Sequence, residues 1–114
     1  DIFIEQIITI GDNKKFVSAL IVPSFSVLEE YARNSGISFR SGEELVNNPD
    51  IIAFYKMRID ERQKDLAEYE KVKCFTLLVQ PFTQEAGELT PTLKVKRKVI
   101  LSKYENIIDA MYKS

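Results

Sequence analysis

The chain has no histidine, no tryptophan and a single cysteine in 114 residues. Without histidine there is no Ser-His-Asp or Cys-His catalytic device and no His-containing zinc site. With Cys74 alone there is no disulfide within the chain and no Cys-x-x-Cys pair, and no metal site is expected. Cys74 sits in the apolar run Cys74-Phe75-Thr76-Leu77-Leu78-Val79, which predicts a small buried side chain. The cysteine usage fits a reducing cytosol, so the expected location is cytoplasmic. Four glycines, at 11, 36, 42 and 87, lie too far apart for a phosphate-cradling loop. No run approaches the roughly 18 apolar residues of a membrane span, and Asp1-Ile2-Phe3-Ile4 lacks the basic stretch that opens a signal peptide. Charge of one sign is also missing. Sixteen basic residues face seventeen acidic ones, so the whole-chain charge of -1 does not argue for nucleic acid.

What is present is ordinary for a small folded domain: 45% hydrophobic and 29% charged residues. Residues 2–10 are β-branched and apolar and stop at Gly11-Asp12-Asn13; residues 15–22 resume the pattern and stop at Pro23. Two such runs around a Gly/Asp/Asn turn predict an antiparallel hairpin, with the second strand well buried from Ala19 to Val22. Ser24 or Ser26 then caps a helix carrying Val27, Leu28 and Tyr31, which Gly36 ends. Ser41-Gly42-Glu43-Glu44 reads as a capping box opening a short helix.

Asn48-Pro49 starts the longest helix, Asn as cap and Pro where its missing N–H costs nothing. Ile52, Tyr55, Ile59, Leu66 and Tyr69 mark its expected apolar stripe, and Lys56, Arg58, Glu61, Lys64, Asp65 and Glu68 a solvated opposite face, with Asp60 and Lys64 as an i,i+4 pair. Residues 73–80 return to strand character. Pro81 to Leu89 reads as loop, and Thr90-Pro91-Thr92 as extended chain, since the residue before proline avoids the helical region. Ile100, Tyr104, Ile107, Ile108 and Met111 recur at the spacing of one final helix. The order β-β-α-α-α-β-α predicts a small single α+β domain, a hairpin and a further strand packed with three to four helices.

One stretch stands apart. Lys94, Lys96, Arg97, Lys98 and Lys103 place five cations within ten residues with no acid among them. This is a local anion site in an otherwise neutral chain. A nucleotide phosphate, a nucleic-acid backbone or an acidic protein face could each satisfy it, and so could plain solvation.

The same stretch carries a resemblance. Gly87-Glu88-Leu89-Thr90-Pro91-Thr92-Leu93-Lys94-Val95-Lys96-Arg97-Lys98-Val99-Ile100, followed by Tyr104 and Ile108 to Tyr112, resembles the end of long-chain fatty acid–CoA ligases, in the AMP-forming adenylate-forming superfamily. Ile4-Glu5-Gln6-Ile7, Ile10-Gly11-Asp12 and Ala19-Leu20-Ile21-Val22-Pro23 are similar to the strand pair opening that family's mobile C-terminal subdomain. The resemblance runs the whole chain, 1–114, in order. Many superfamily members carry Thr-x-Ser-Gly-Lys in the loop before the final helix. Thr90 and Lys94 align with its Thr and catalytic Lys, and Thr92-Leu93 replace Ser-Gly.

The resemblance implies a two-step reaction. A fatty acid carboxylate attacks the α-phosphate of ATP to give acyl-AMP and pyrophosphate; the thiol of CoA then displaces AMP. Lys94 is the implied catalytic lysine of the first step, a positioned charge where negative charge gathers. Lys96 and Arg97 are implied contacts for nucleotide or CoA phosphates, or are solvated residues at a helix start. The subdomain is expected to close over the active site for adenylation and to reorient for thioester formation. ATP, CoA and Mg2+ belong to the full-length enzyme, and none is expected on this chain alone. The family's large N-terminal domain, its phosphate loop and fatty acid tunnel, and the hinge before Ile4-Glu5 are outside this sequence. That domain is the expected partner, peripheral membrane contact by the full-length protein stays open, and the isolated chain is expected to be inactive. The competing reading is a non-enzymatic module that uses residues 94–103 to bind nucleic acid or an acidic partner, with steep salt dependence.

Overall fold

The computed structural model describes residues 1–113 and groups them into two compact units, Asp1–Val79 and the remainder from Gln80. In the first unit β1 (Ile4–Ile10) pairs antiparallel with β2 (Val17–Pro23). The predicted hairpin is present, with Ile8 opposite Leu20 and Ile10 opposite Ser18. At its turn Asn13 takes a left-handed backbone, which Asn tolerates better than most residues.

Three helices follow: α1 (Phe25–Asn34), α2 (Gly42–Asn47) and α3 (Pro49–Arg62). They form the crossover that returns the chain to β3 (Val72–Leu77), which lies parallel to β2. The sheet order is β1-β2-β3, so β2 is central, and it is buried at every position after Val17. The architecture is the expected α+β type, and the sheet is mixed. Ala19 and Ile21 of β2 and Leu77 of β3 pack with Leu28, Ala32, Leu45, Val46, Ile51 and Tyr55 of the helices in one apolar core.

The helix ends follow local chemistry. Gly36 closes α1 with φ of 75°, while the Ile37 amide reaches back to the Ala32 carbonyl. At α2 the Ser41 hydroxyl accepts from the Glu44 amide, but the Glu44 carboxylate takes Arg40 at 3.0 Å, so half of the expected capping box forms. Asn48 caps α3 through the amides of Asp50 and Ile51.

Several expectations for α3 and beyond are corrected. The buried positions of α3 are Ile51 and Tyr55, with Phe54 and Ile59 packed against the core, whereas Ile52 is 40% exposed. Leu66 and Tyr69 lie past the helix end and are exposed. The helix stops because Gln63 turns its amide onto the backbone of Val72, donating to the carbonyl and accepting from the N–H, both at 2.9 Å. That clamp reverses the chain into β3. Asp60 pairs with Lys56 and Lys64 with Glu61, in place of the expected Asp60–Lys64 pair. Arg58 is not a solvated residue: its guanidinium holds the Asp1 carboxylate at 2.8 Å and lies over the Phe3 ring. Cys74 is half-buried rather than buried.

In the second unit the single final helix expected through Ile100, Tyr104, Ile107, Ile108 and Met111 is two, α4 (Arg97–Lys103) and α5 (Glu105–Tyr112). The break falls at Tyr104, whose backbone leaves the helical region at φ -105°, ψ 21°. Its ring packs edge-on to Phe82, 6.3 Å between centroids.

Candidate functional site

The basic stretch is built on a short hairpin of the second unit. Leu89 and Val95 face each other across an antiparallel bridge. Below them the Lys96 amide donates to the Glu88 carbonyl at 2.8 Å, and above them the Thr90 amide donates to the Lys94 carbonyl at 2.8 Å. A turn closes the tip, with the Leu93 amide bonded to the Thr90 carbonyl and Pro91 at the second position, where its fixed φ suits the bend. The expected extended path is therefore kept only at Thr90; Pro91 and Thr92 belong to the turn.

This is a three-residue hairpin loop, Pro91-Thr92-Leu93, whose last residue is normally left-handed and glycine. Here that residue is Leu93, at φ 63°. It is the position where the Thr-x-Ser-Gly-Lys pattern has Gly, the residue that takes a left-handed backbone at least cost. Thr90 adds side-chain support. Its hydroxyl accepts from the Lys94 amide at 3.0 Å and lies 3.1 Å from the Thr92 hydroxyl. The backbone of Lys94 is thus held on both sides while its side chain is exposed.

The five expected cations do not form one cluster of free charges. Lys94, Lys96, Arg97 and Lys98 are exposed and, among the described residues, have no ion-pair partner. Lys103 instead donates to Glu88 Oε2 at 3.0 Å, a bond that raises its ammonium pKa. Glu88 itself is 1% exposed, and its other oxygen accepts from the Thr83 amide at 3.2 Å. Sequence reasoning missed Glu88, because nothing local separates it from the many surface carboxylates. Lys96 caps α4 by position, with no side-chain bond to the free amides. Its charge and those of Arg97 and Lys98 crowd a helix start whose dipole disfavours them.

Among the described residues no three carboxylate, thiol or imidazole groups converge on a metal position. No helix of the described residues is long and apolar enough to cross a membrane.

The model of the AMP-binding enzyme C-terminal domain matches residues 1–114. The chain belongs to this family. AMP-binding C-terminal domains are the small C-terminal subdomains of adenylate-forming enzymes. Over 110 residues this one is 36% identical to the long-chain-fatty-acid–CoA ligase FadD15 of Mycobacterium tuberculosis, covering 96% of the chain and 18% of the relative. It is also 36% identical to the peroxisomal long chain acyl-CoA synthetase 6 of Arabidopsis thaliana, over 97% of the chain and 16% of the relative. The chain therefore spans less than one-fifth of the length of these curated relatives. The adenylation domain of a carboxylate reductase from Mycobacterium chelonae shares the fold, with a TM-score of 0.74 and 24% identity over 96% of the chain and 16% of that structure.

Proposed function

We propose that this AMP-binding C-terminal domain is the lid of a long-chain fatty acid–CoA ligase and that Lys94 is its catalytic lysine for adenylation. One observation carries the reading. Lys94 is an exposed cation, without an ion-pair partner among the described residues, at the tip of a backbone-locked hairpin. A lysine in a carboxylate pair would have its charge spent; this one is free to meet an anion. The likeness to fatty acid–CoA ligases over nearly the whole chain supplies the reaction class.

In that reaction the carboxylate of a long-chain fatty acid attacks the α-phosphate of ATP as the bond to pyrophosphate breaks, and negative charge gathers on the α-phosphoryl oxygens and the departing pyrophosphate. A compact ammonium held at a fixed point stabilises that charge most once water is excluded. Lys96 and Arg97, beside the start of α4, are the further contacts for nucleotide or CoA phosphates. The large N-terminal domain is the partner, and CoA is the acyl acceptor of the second step after the lid reorients.

The test is fatty-acid-dependent ATP–pyrophosphate exchange by the full-length ligase and its Lys94→Ala variant. A loss of about 10²–10³-fold is expected, the scale for removing one preorganised donor. Thioester formation from supplied acyl-AMP should stay near wild type. Exchange that is unchanged in the variant would remove Lys94 from the chemistry and leave the basic stretch as a binding or solvated surface.

A further inference from the structure

We propose that Glu88 and Lys103 are positioning residues for adenylation, an ion pair that aims the Lys94 hairpin; the proposal rests on the role given to Lys94 above. The hairpin cannot aim itself. It has one bridged pair, Leu89 with Val95, and two backbone rungs, and a two-stranded ribbon of that size is marginal in water. The direction of its tip must be set at its base, and the base is Glu88.

Every polar group of Glu88 is engaged, and its four bonds reach three parts of the unit. Its amide donates to the Thr83 carbonyl at 3.0 Å, and its carbonyl accepts from the Lys96 amide at 2.8 Å. Oε1 accepts from the Thr83 amide at 3.2 Å, and Oε2 accepts from Lys103 Nζ at 3.0 Å. Glu88 thereby ties the turn at Thr83, the outgoing hairpin strand and the last turn of α4 into one junction. Lys96 is two residues from Lys94, so the fixed rung at Glu88 carries over to the catalytic position.

The burial of Glu88 shows why the pair matters. A carboxylate that is 1% exposed is tolerated only with strong partners. Lys103 is the one charged partner Glu88 has among the described residues, and its side chain is 45% exposed. Without the ammonium the buried carboxylate is under-satisfied, and the junction must open toward water or rearrange. Either response moves the hairpin base. A displacement of about 1 Å in a positioned catalytic group can cost on the order of 10²-fold in rate.

The experiment compares full-length ligase variants Glu88→Gln, Lys103→Met and Lys103→Arg with Lys94→Ala, in both half-reactions. Glu88→Gln and Lys103→Met are expected to lower the kcat of ATP–pyrophosphate exchange by about 10–10²-fold. Their KM for ATP and their thioester formation from supplied acyl-AMP should stay within about twofold of wild type, because a displaced hairpin affects only the step that uses Lys94. Lys103→Arg, which keeps the charge, should restore most of the exchange. Full exchange in Lys103→Met, beside loss in Lys94→Ala, overturns the positioning role and leaves the catalytic lysine standing. Equal losses in both half-reactions with a lowered Tm also overturn it, by marking the pair as structural only. Unchanged exchange in Lys94→Ala overturns the reading on which the pair depends. Should Glu88→Gln fail to fold, Lys103→Met decides, because it alters a partly exposed side chain.

Discussion

Leu93 is where the hairpin carries strain, and the sign of a glycine substitution there tests the loop geometry. A left-handed backbone costs a non-glycine residue about 1–2 kcal/mol, and Leu93 pays it at φ 63°. Glycine relieves that cost but loses about 0.5–1 kcal/mol more conformational freedom on folding. Leu93 is 66% exposed, so truncation also removes some packing, and the comparison with wild type is blurred. Comparing Leu93→Gly with Leu93→Ala cancels the lost packing. Glycine should be the more stable of the two by about 0.5–1 kcal/mol; at an ordinary strand or helix position alanine wins by a similar amount. Hydrogen exchange at the Thr90 amide reads the difference locally, since that amide donates to the Lys94 carbonyl across the loop. Its exchange should be about two- to fivefold slower in Leu93→Gly than in Leu93→Ala. Equal rates, or slower exchange in the alanine variant, would refute a left-handed residue at 93 and the three-residue loop with it.

Asn48→Ala should destabilise the first unit by about 1 kcal/mol in urea titration, because the side chain satisfies the Asp50 and Ile51 amides; a change below a few tenths would contradict the cap. Tyr55 gives a pH signature. Burial pushes its phenol well above the ordinary value near 10, only partly offset by Arg58. The unfolded state therefore ionises first, so the contribution of Tyr55 is intact below about pH 10 and is lost as pH rises through and beyond that value. Tyr55→Phe should flatten the alkaline decline relative to wild type. At neutral pH it should cost about 1 kcal/mol for the bond to the Phe3 carbonyl, which still accepts from Ser24. Parallel alkaline slopes in the two proteins would refute the buried phenol.

The elements readable from the sequence are those decided within a few residues. The hairpin of β1 and β2, the caps at Ser41 and Asn48 and the stop at Gly36 all rest on neighbours. What the sequence hid depends on distant partners. α3 ends at Arg62 because Gln63 finds the backbone of Val72, so a periodic count running on to Leu66 and Tyr69 had no signal to stop it. Arg58 looks like a surface charge until Asp1 and Phe3 meet it, 57 and 55 positions back. The parallel seat of β3 beside β2 follows from a crossover of three helices, which strand propensity does not encode.

The basic stretch divides along the same line. Lys94 is singled out by the resemblance of residues 87–100 alone, and the hairpin that presents it is closed locally, by residues 89 to 95. The charge of the stretch could not, because counting cations along the chain assumes that no acid outside the window answers them. Glu88, fifteen positions before Lys103, answers one. The consequence is a division of labour among residues of one type. Lys103 spends its charge inside the unit, holding a buried carboxylate, while Lys94, Lys96, Arg97 and Lys98 keep theirs for solvent or a ligand. Salt dependence separates the two groups. Screening acts on exposed charges more than on a pair with one buried member, so raised ionic strength should weaken anion binding by the four while the Glu88–Lys103 junction persists. A Lys96 amide whose hydrogen exchange accelerates in step with added salt would show that the junction is no more protected than the surface around it.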